Sequence, residues 1–580
     1  MSASRNSYTR RRAIALGMAA AGTAVAGVGA SGQGRAAAAT RAGTSGTNAT
    51  YYNNAATGAA DPFTLYDKAT GYYYAYSTED ADPGWYFAIY RSADLATWEK
   101  VPGGALPADD PNQWGNTWFW APEVYHNPGT GLYFLFYAAR SDANAENWFG
   151  YASFEEPCKV GVAVSRSPAG PFRNIAGHPI DWWPYDPDYH DVNLIMGADQ
   201  KKPPATLAEG ETAPLGTYIP FIDPDVFFAS SGEMYLYVSR NAYRNWVWDY
   251  DLNKYIEESN LIAVRLTSAW WDDPAGQTMP AIDPGYLNAN QAPGDTSGKR
   301  RDGFTHILDY DHDKQAWENA DVNDYAKTNG QNKDRRWEEG STTWERTVDG
   351  KTVYYLTYSA NNFATPEYGV GYATAPSPLG PWKKFAGNPI LSQNATIGMY
   401  STGHGGIIAS PDGGQLYYVH HGRPDTTTNR RLYTDRLLFD DRHPDVNGNA
   451  TMSIVASTTD EPVPSGVAPY AMTASPGAVT LAPGGSQEVT AGVRSAHAAA
   501  LALGNPLNRV SAMIGDPSVA TLADASGSGV RVVAGAPGRT WLRLTYQRQL
   551  SGGGYRDVVN TGPGGQHPVT VVVPVTVTPG

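Results

Sequence analysis

From residue 60 to about residue 441, the chain repeats one pattern of polar and hydrophobic positions five times. Each copy has a short polar element, a strand, a tight turn and an aromatic-rich second strand. The first copy shows all four parts, with Asp61-Pro62, the turn Ala69-Thr70-Gly71 and the run Tyr72–Ser77. Short apolar runs bounded by Gly-containing turns predict β-strands rather than helices.

Five copies, each able to form a four-stranded sheet, predict an all-β fold with a five-bladed β-propeller over residues 50–457. Two copies close on a similar phrase, Ser-Pro-x-Gly-Pro, at residues 167–171 and 377–381. The copies are unevenly spaced because polar inserts lie at 173–218 and 275–336. We expect these inserts to form loops over one face, where binding specificity is usually set. A series of β-sandwiches is the alternative.

The composition changes at residues 458–467, which contain Pro462 and Pro464. After this break aromatic residues become rare, and short strands rich in Val, Ala and Thr are predicted at a spacing typical of sandwiches. We therefore expect residues 468–580 to form a bacterial immunoglobulin-like β-sandwich domain. A spacer role is favoured for it, and glycan binding is the alternative.

Residues 1–39 have the features of an export signal. Arg10, Arg11 and Arg12 precede a mildly apolar run rich in Ala and Gly, and Ala37 and Ala39 offer a cleavage site. Paired arginines in this position are typical of twin-arginine signals, which export folded proteins. We expect a secreted protein with no membrane span after signal removal, since no other stretch approaches the length of a span. An uncleaved membrane anchor is the alternative.

Charge and cysteine content exclude several classes of function. The net charge of −14 over 580 residues would repel a nucleic acid, whereas it is compatible with a neutral glycan. The single cysteine, Cys158, excludes an intrachain disulfide and a Cys-based zinc site. No Gly-x-Ser-x-Gly elbow is evident, so a serine hydrolase is not supported.

Three carboxylates, Asp61, Asp223 and Glu339, stand at the start of the first strands of the first, third and fourth copies. Equivalent repeat positions in a propeller converge near the axis, so we expect these groups to share one pocket. Repulsion among them raises at least one pKa, which lets one acid stay protonated while another is ionised, as glycosidic hydrolysis requires. Each residue alone has another interpretation: a turn cap for the two aspartates, with Asp225 competing with Asp223, and a surface salt bridge for Glu339.

The ordered set of motifs closely resembles glycoside hydrolase family 43 over about residues 50–455. It comprises Ala60-Asp61-Pro62, Ile222-Asp223-Pro224, Glu339-Gly340, Gly403-His404-Gly405 and the phrase from Ser92 to Trp98. The resemblance implies an inverting enzyme with Asp61 as general base, Glu339 as general acid and Asp223 orienting the acid and tuning its pKa. It also implies that Arg430, with Arg431 as the fallback, reaches the sugar. Ser341 and Asp225 depart from the usual family pattern.

Three further residues are candidates for binding. The resemblance places His404 on the propeller axis, where the family often holds a calcium ion or a water cluster; a structural buried histidine is the alternative. No cofactor is expected to be required, and the calcium would be structural. Phe119 and Trp120 precede the pocket-end strand of the second copy and offer flat rings for the apolar face of a sugar. Packing between blades is the alternative for either ring.

The function favoured by these observations is an exo-acting α-L-arabinofuranosidase or β-xylosidase, acting as a monomer on pentose-containing polysaccharides or oligosaccharides. The long inserts favour exo action because they would close a cleft into a pocket. An endo-arabinanase or galactan-directed hydrolase of the same family is one alternative. A glycan-binding propeller without catalytic activity is another.

Overall fold

The computed structural model describes residues 57–95, 98–149, 157–180, 220–286, 304–308, 310, 313–395, 398–455, 470–494, 501–505, 508–549, 555–562 and 565–580. The predicted export signal, the composition break at 458–467 and residues 181–218 of the first insert lie outside these ranges. Within them the fold is all-β, as predicted, and the helices are single short turns. These are Asp142–Asn144, Ala145–Phe149, Ala269–Asp272, Pro284–Tyr286, Ala316–Glu318 and Asp324–Lys327.

Residues 63–455 form five successive, mainly antiparallel sheets in which most strands pair with the next strand along the chain. The first sheet contains β1 (Phe63–Asp67), β2 (Tyr72–Ser77), β4 (Ala88–Ser92) and β5 (Glu99–Val101), and the short strands β3 (Trp85–Tyr86) and β6 (Leu106–Pro107) pair beside it. The second contains β7 (Thr117–Asn127), β8 (Leu132–Arg140), β9 (Cys158–Ser165) and β10 (Arg173–Asn174). The third contains β11 (Phe221–Phe228), β12 (Met234–Asp249), β13 (Lys254–Leu266), β14 (Thr305–Leu308) and β15 (Arg335–Arg336).

The fourth and fifth sheets have four strands each. The fourth contains β16 (Glu338–Val348), β17 (Lys351–Ala360), β18 (Gly369–Ala375) and β19 (Lys383–Lys384). The fifth contains β20 (Tyr400–Ala409), β21 (Leu416–Arg423), β22 (Arg431–Asp440) and β23 (Thr451–Val455).

The second strand of each sheet is buried on both faces, which explains its long aromatic runs. In β2, Tyr74 and Tyr76 pack against the second sheet, whereas Tyr73 and Ala75, which alternate with them, pack against the fifth. Successive side chains of a strand point to opposite faces. A strand that lies between two neighbouring sheets therefore needs apolar side chains on both of its faces.

The five sheets close into a ring around their first strands. Hydrophobic clusters fill the interfaces between the first and second, second and third, third and fourth, fourth and fifth, and fifth and first sheets. In the same cyclic order, β1 packs beside β7, β7 beside β11, β11 beside β16, β16 beside β20, and β20 beside β1. The starts of these strands consequently meet at one end of the ring, as a β-propeller requires.

Residues 313–336 of the second insert are fixed against the third and fourth sheets by buried charges. The ion pairs are Arg336–Asp249 (2.5 Å), Arg336–Glu258 (2.9 Å), Lys384–Glu318 (2.8 Å) and Lys384–Glu338 (2.5 Å). Since Glu338 directly precedes Glu339, this network also holds the start of β16 in place.

The ring closes without covalent continuity, because its first and fifth sheets come from opposite ends of the repeat region. Across this seam, the Leu432 amide donates to the Thr57 carbonyl (3.0 Å) and the Ala59 amide to the Arg430 carbonyl (3.2 Å). The Thr434 hydroxyl donates to the Leu95 carbonyl (3.2 Å). Backbone and side-chain hydrogen bonds therefore join the two sheets at several points.

Residues 471–577 form two more four-stranded arrangements. One contains β24 (Ala471–Ser475), β26 (Ser486–Arg494), β29 (Gly529–Ala534) and β28 (Ala520–Ala523). The other contains β25 (Val479–Leu481), β34 (Thr570–Val577), β30 (Gly538–Gln549) and β27 (Asn508–Ile514), with β31 (Tyr555–Asp557) beside β30. The pair β32 (Val559–Gly562) and β33 (Gly565–Pro568) is separate. A core that includes Val489, Val532, Leu544 and Val573 joins the two sheets.

The C-terminal region contacts the first sheet of the ring through Asp94. Arg548 Nη2 lies 3.3 Å from Asp94 Oδ2, and the Tyr470 hydroxyl donates to the same oxygen. Both members of the Asp94–Arg548 pair are buried. Asp94 belongs to the turn whose Leu95 carbonyl bonds to the fifth sheet, so the contact lies beside the seam.

None of the helices in the described ranges is long and apolar enough to cross a membrane.

We predict that Asp94→Asn weakens this contact and lowers the stability of the chain by about 1–3 kcal/mol, because a buried guanidinium loses its charged partner. Differential scanning calorimetry should show the first thermal transition a few degrees lower. Glu99→Gln, in the exposed pair with Arg91 (2.9 Å) on the same sheet, should change it little. An Asp94→Asn chain as stable as the Glu99→Gln chain would contradict the prediction.

Candidate active site

All five sheets have a left-handed residue at the same place, immediately before or within the first strand. A bulge of this kind bends the strand and changes the direction of a side chain. In the four later sheets, the register between first and second strands slips at this point. The five residues are Asp61 (φ 48°), Ala121 (46°), Asp223 (53°), Gly340 (58°) and His404 (43°).

The bulges bring Asp61, Asp223 and His404 together at one end of the ring. His404 Nδ1 lies 3.3 Å from Asp61 Oδ1 and 4.0 Å from Asp223 Oδ2. The Ser359 hydroxyl accepts a hydrogen bond from the His404 amide (2.7 Å), which fixes the backbone at this bulge. Three of the five repeat positions thus supply polar side chains to one site.

Glu339 reaches this site from a different repeat position. Its expected equivalence with Asp61 and Asp223 is wrong by one residue. The equivalent residue in the fourth sheet is Gly340, where a Cβ would lie 2.8 Å from His404 Cγ. Glu339 pairs with Ser359, as Ile222 pairs with Ser239. The general acid candidate therefore approaches the site from the residue before the bulge.

Asp61 is surrounded by donors and positive charge. Its Oδ1 accepts from Arg430 Nη1 (2.9 Å), and its Oδ2 accepts from the Thr78 hydroxyl (2.8 Å). Burial alone would raise the pKa of Asp61, but the neighbouring Arg430 and His404 hold it well below the ordinary aspartate value. Asp61 is consequently an ionised carboxylate across the neutral pH range.

Asp223 and Glu339 have the opposite environment. Asp223 Oδ2 accepts from the Ser239 hydroxyl (3.0 Å) and the Gly340 amide (3.1 Å), and burial together with the charge of Asp61 raises its pKa to about 7. Glu339 Oε1 accepts from the Tyr368 hydroxyl (2.7 Å), and burial together with the charge of Asp223 raises its pKa to about 8. At neutral pH the site therefore holds Asp61 ionised, Glu339 protonated and Asp223 near its titration midpoint.

Arg430, the arginine expected to reach the sugar, links Asp61 to the rim of the site. Its Nη2 bonds to Glu79 Oε1 (2.8 Å), and its guanidinium lies 4.6 Å from the centre of the Phe363 ring. Phe363 is 43% exposed, so this ring offers an apolar surface beside the carboxylate. Arg431 instead forms a backbone bridge to Gly58, and Arg430 is the arginine that contacts Asp61.

The two predicted sugar-binding rings differ in position. Phe119 is buried and stacks on Tyr86, with ring centres 3.6 Å apart, in the core between the first and second sheets. The packing alternative fits the position of Phe119, and its role as a sugar contact stays a prediction. Trp120 is partly exposed, stacks on Trp118 at 5.2 Å, and precedes Ala121, whose amide bonds to the Thr78 hydroxyl (2.9 Å).

Asp225, the sequence competitor of Asp223, lies one layer deeper in the ring. It accepts from the Thr343 hydroxyl (3.0 Å), and burial raises its pKa to about 8. It faces Glu123 of the second sheet, whose pKa is raised by burial and by the charge of Asp225. Asp223, and not Asp225, is therefore the aspartate beside His404.

The side chains described around His404 offer few oxygen ligands for a calcium ion. Calcium prefers six to eight oxygen ligands, whereas the His404 ring presents nitrogen to two carboxylates that are already engaged. Among the residues that the structure describes, no group of three or more His, Cys, Asp or Glu side chains is arranged to hold a metal. The axial calcium stays a prediction.

Two residues of the site had no clear signal in the sequence. His421 lies in the fifth sheet, where its Nδ1 accepts from the Asp61 amide (3.1 Å). Tyr368 precedes β18 and stacks on His421, with ring centres 5.6 Å apart and planes 6° apart. Tyr368 is one of 37 tyrosines and lies outside the repeated motifs. The second histidine of the pair His420-His421 was the only available hint.

Known proteins resemble this chain along most of the ring. A family model described as Glycosyl hydrolases family 43 matches residues 55–202 and 271–444. A β-D-galactofuranosidase of Aspergillus niger is 26% identical over 401 residues, which are 67% of this chain and 82% of that protein. A thermostable family-43 glycoside hydrolase of known structure is 26% identical with a TM-score of 0.47, covering 72% of this chain and 99% of its own. An endo-1,4-β-xylanase from Bacteroides thetaiotaomicron is 24% identical with a TM-score of 0.44, covering 70% and 97%.

We predict that Asp223→Asn lowers the pKa of Glu339 from about 8 toward the ordinary glutamate value, because the like charge facing it is removed. Infrared difference spectra recorded across a pH titration, with Glu339→Gln to assign the carboxyl band, should show this shift. Asp251→Asn, at an exposed carboxyl outside the site, is the control. A Glu339 band that titrates at the same pH in both variants would contradict the prediction.

Proposed function

This chain belongs to glycoside hydrolase family 43, whose members are glycosidases that generally invert the anomeric configuration, and from that premise we propose an exo-acting α-L-arabinofuranosidase or β-xylosidase. One observation supports the roles of its residues. The Asp61 carboxylate is paired with the Arg430 guanidinium, whereas the Glu339 carboxyl receives a neutral hydroxyl and faces the Asp223 carboxylate. A base and an acid are thus kept in different protonation states within one site.

In the proposed reaction, water attacks the anomeric carbon on the face opposite the leaving group. Asp61 accepts a proton from this water while the new C–O bond forms. Glu339 donates its proton to the glycosidic oxygen, which takes the electron pair of the breaking C–O bond. The two proton transfers leave Asp61 protonated and Glu339 ionised, and exchange with solvent restores the starting state.

Asp223 and Arg430 assist without exchanging protons with the substrate. Asp223 accepts from the Gly340 amide, so it fixes the backbone next to Glu339, and its charge keeps the acid protonated. Arg430 keeps Asp61 ionised and holds it in position from the fifth sheet. Its guanidinium and the exposed Phe363 ring form a polar and an apolar surface for the sugar.

The relative from Aspergillus niger favours a furanose substrate over a pyranose. A β-D-galactofuranosyl ring has the same arrangement of ring substituents as an α-L-arabinofuranosyl ring, with one additional hydroxymethyl group on its side chain. We therefore rank α-L-arabinofuranosides first and include β-D-galactofuranosides as a second candidate. An endo-acting arabinanase or galactan-directed hydrolase is the alternative within the family.

The remaining parts of the proposal concern the whole chain. Residues 50–457 are a five-bladed propeller, supported by the closed ring of sheets, and residues 468–580 are an immunoglobulin-like domain, supported by the two packed sheets. Residues 1–39 direct twin-arginine export, supported by the arginines before the apolar run. The secreted protein acts on glycans as a monomer.

We predict that Glu339→Gln and Asp61→Asn each lower kcat on an unactivated arabinofuranoside by about 10²–10⁴-fold, because each removes one proton transfer. Hydrolysis of aryl arabinofuranosides, xylosides and galactofuranosides, with linear arabinan as the endo substrate, identifies the sugar. Proton NMR of the first-formed anomer should show inversion. Glu345→Gln, farther along the same strand as Glu339, should keep the activity.

A wild-type chain that binds glycans but hydrolyses none of this panel would refute the hydrolase proposal. Retention of the anomeric configuration would refute the assigned roles of Asp61 and Glu339.

We further predict a bell-shaped dependence of kcat/KM on pH with an alkaline limb near pH 8. Glu339, with a pKa of about 8, must be protonated, so activity falls as the pH rises through that value. Asp61 must be ionised, and its lowered pKa puts the acidic limb below the ordinary aspartate range. The limbs belong to the coupled set of Asp61, Asp223 and Glu339. If kcat/KM were already lost at pH 6 as the pH rises, the assignment would be contradicted.

A further inference from the structure

Tyr368 connects the acid side of the site to the base side. Its side chain is fully buried, and its hydroxyl donates to Glu339 Oε1 at 2.7 Å. Its ring lies parallel to the ring of His421, at 5.6 Å between centres. The Tyr368 hydroxyl is therefore fixed by the carboxyl group of Glu339, and the face of its ring is fixed by the imidazole of His421.

His421 in turn is held by the base. The Asp61 amide donates to its Nδ1 at 3.1 Å, so that nitrogen carries no proton. Burial lowers the pKa of His421 to about 3, and the ring is neutral. The same nitrogen lies 3.3 Å from Asp61 Oδ1, so the neutral ring packs between Tyr368 and the Asp61 side chain.

The backbone of the fifth sheet leaves room for the Tyr368 ring. A Cβ on Gly403 would lie 2.3 Å from Tyr368 Cε1 and 3.0 Å from the Ser359 hydroxyl. No real side chain tolerates the first distance, so any larger residue at 403 displaces the ring. The glycine before His404 thus preserves the contact between Tyr368 and Glu339.

We infer that Tyr368 is a positioning residue for the general acid: by holding Glu339 Oε1, it directs Oε2 and its proton toward the glycosidic oxygen. The inference rests on the proposed function and adds a residue to it. Only one carboxyl oxygen can deliver the proton, and a carboxyl group free to rotate would spend much of its time with the wrong oxygen facing the substrate.

The same hydrogen bond affects the protonation of Glu339. The charged and titratable groups that act on Glu339 are Asp223 from the third sheet, His404 from the fifth, Asp61 from the first, and Tyr368 itself. A hydroxyl donated to a carboxylate favours its ionised form. Loss of the Tyr368 hydroxyl should therefore raise the pKa of Glu339 further and move the alkaline limb of the pH profile to higher pH.

The test is Tyr368→Phe, which keeps the stacked ring and removes only the hydroxyl, assayed with two leaving groups. The dinitrophenolate leaving group of a dinitrophenyl glycoside departs without being protonated. The leaving sugar of an unactivated oligosaccharide needs a proton. We expect kcat/KM to fall about 10- to 100-fold on the oligosaccharide and about threefold or less on the dinitrophenyl glycoside, with the alkaline limb shifted upward.

Tyr358→Phe is the matched control. The Tyr358 hydroxyl donates to Glu318 Oε1 at 2.8 Å, so this variant also loses a buried tyrosine–carboxyl hydrogen bond, but away from the pocket. It should leave the ratio of the two rates and the alkaline limb unchanged. Gly403→Ala, which displaces the Tyr368 ring, should reproduce the leaving-group selectivity of Tyr368→Phe and serves if that variant does not fold.

Equal losses on both substrates, or no loss on either, would overturn the inference while leaving the proposed function intact. A wild-type chain inactive on both substrates would instead overturn the proposed function. An alkaline limb shifted to lower pH in Tyr368→Phe would also count against the inference, because it would mean that the hydroxyl favours the protonated acid.

Discussion

The site depends on the non-covalent closure of the ring between its first and fifth sheets. Asp61 lies on one side of this seam, and the groups that set its charge and orientation, Arg430 and His421, lie on the other. The chain supplies no peptide bond across the seam, only hydrogen bonds such as that from the Ala59 amide to the Arg430 carbonyl. Opening of the seam would therefore separate Asp61 from Arg430.

The C-terminal region contributes to the same closure. It follows the fifth sheet in the sequence, and it contacts the first sheet through the buried pair of Arg548 with Asp94. A body that is covalently continuous with one sheet and docked on the other restrains the seam from outside. A spacer that moves freely would need no buried ion pair on the ring.

The sequence was sufficient to predict the fold where local chemistry determines it. Gly-containing turns and aromatic runs such as Tyr72–Ser77 predicted strands, and burial of β2 on both faces explains why the run is continuous. Asp61 and Asp223 could be found because proline follows each of them at a repeated bulge. The offset of Glu339 could not, because the sequence does not say which residue of Glu339-Gly340 occupies the bulge. The positive φ of Gly340 and the strand register show that the glycine does.

The contacts of individual aromatic side chains could not be predicted, for a physical reason. Phe119 and Trp120 are consecutive aromatics on one strand, so they point to opposite faces, and the sequence does not say which face is the core. Tyr368 contacts Glu339 through a loop whose path depends on tertiary packing. Aromatic composition indicates that such contacts exist, but it does not indicate which ring makes them.

Burial cannot by itself give Asp61 and Glu339 different protonation states, because it raises the pKa of both. The difference must come from the neighbours that each sheet provides. The fifth sheet places Arg430 against Asp61, and the third places Asp223 against Glu339. Each carboxyl group is thus tuned from a different sheet, so the protonation pattern is a property of the closed ring. An isolated sheet would carry only one of these two carboxyl groups and would lack the neighbours from other sheets that set its protonation state.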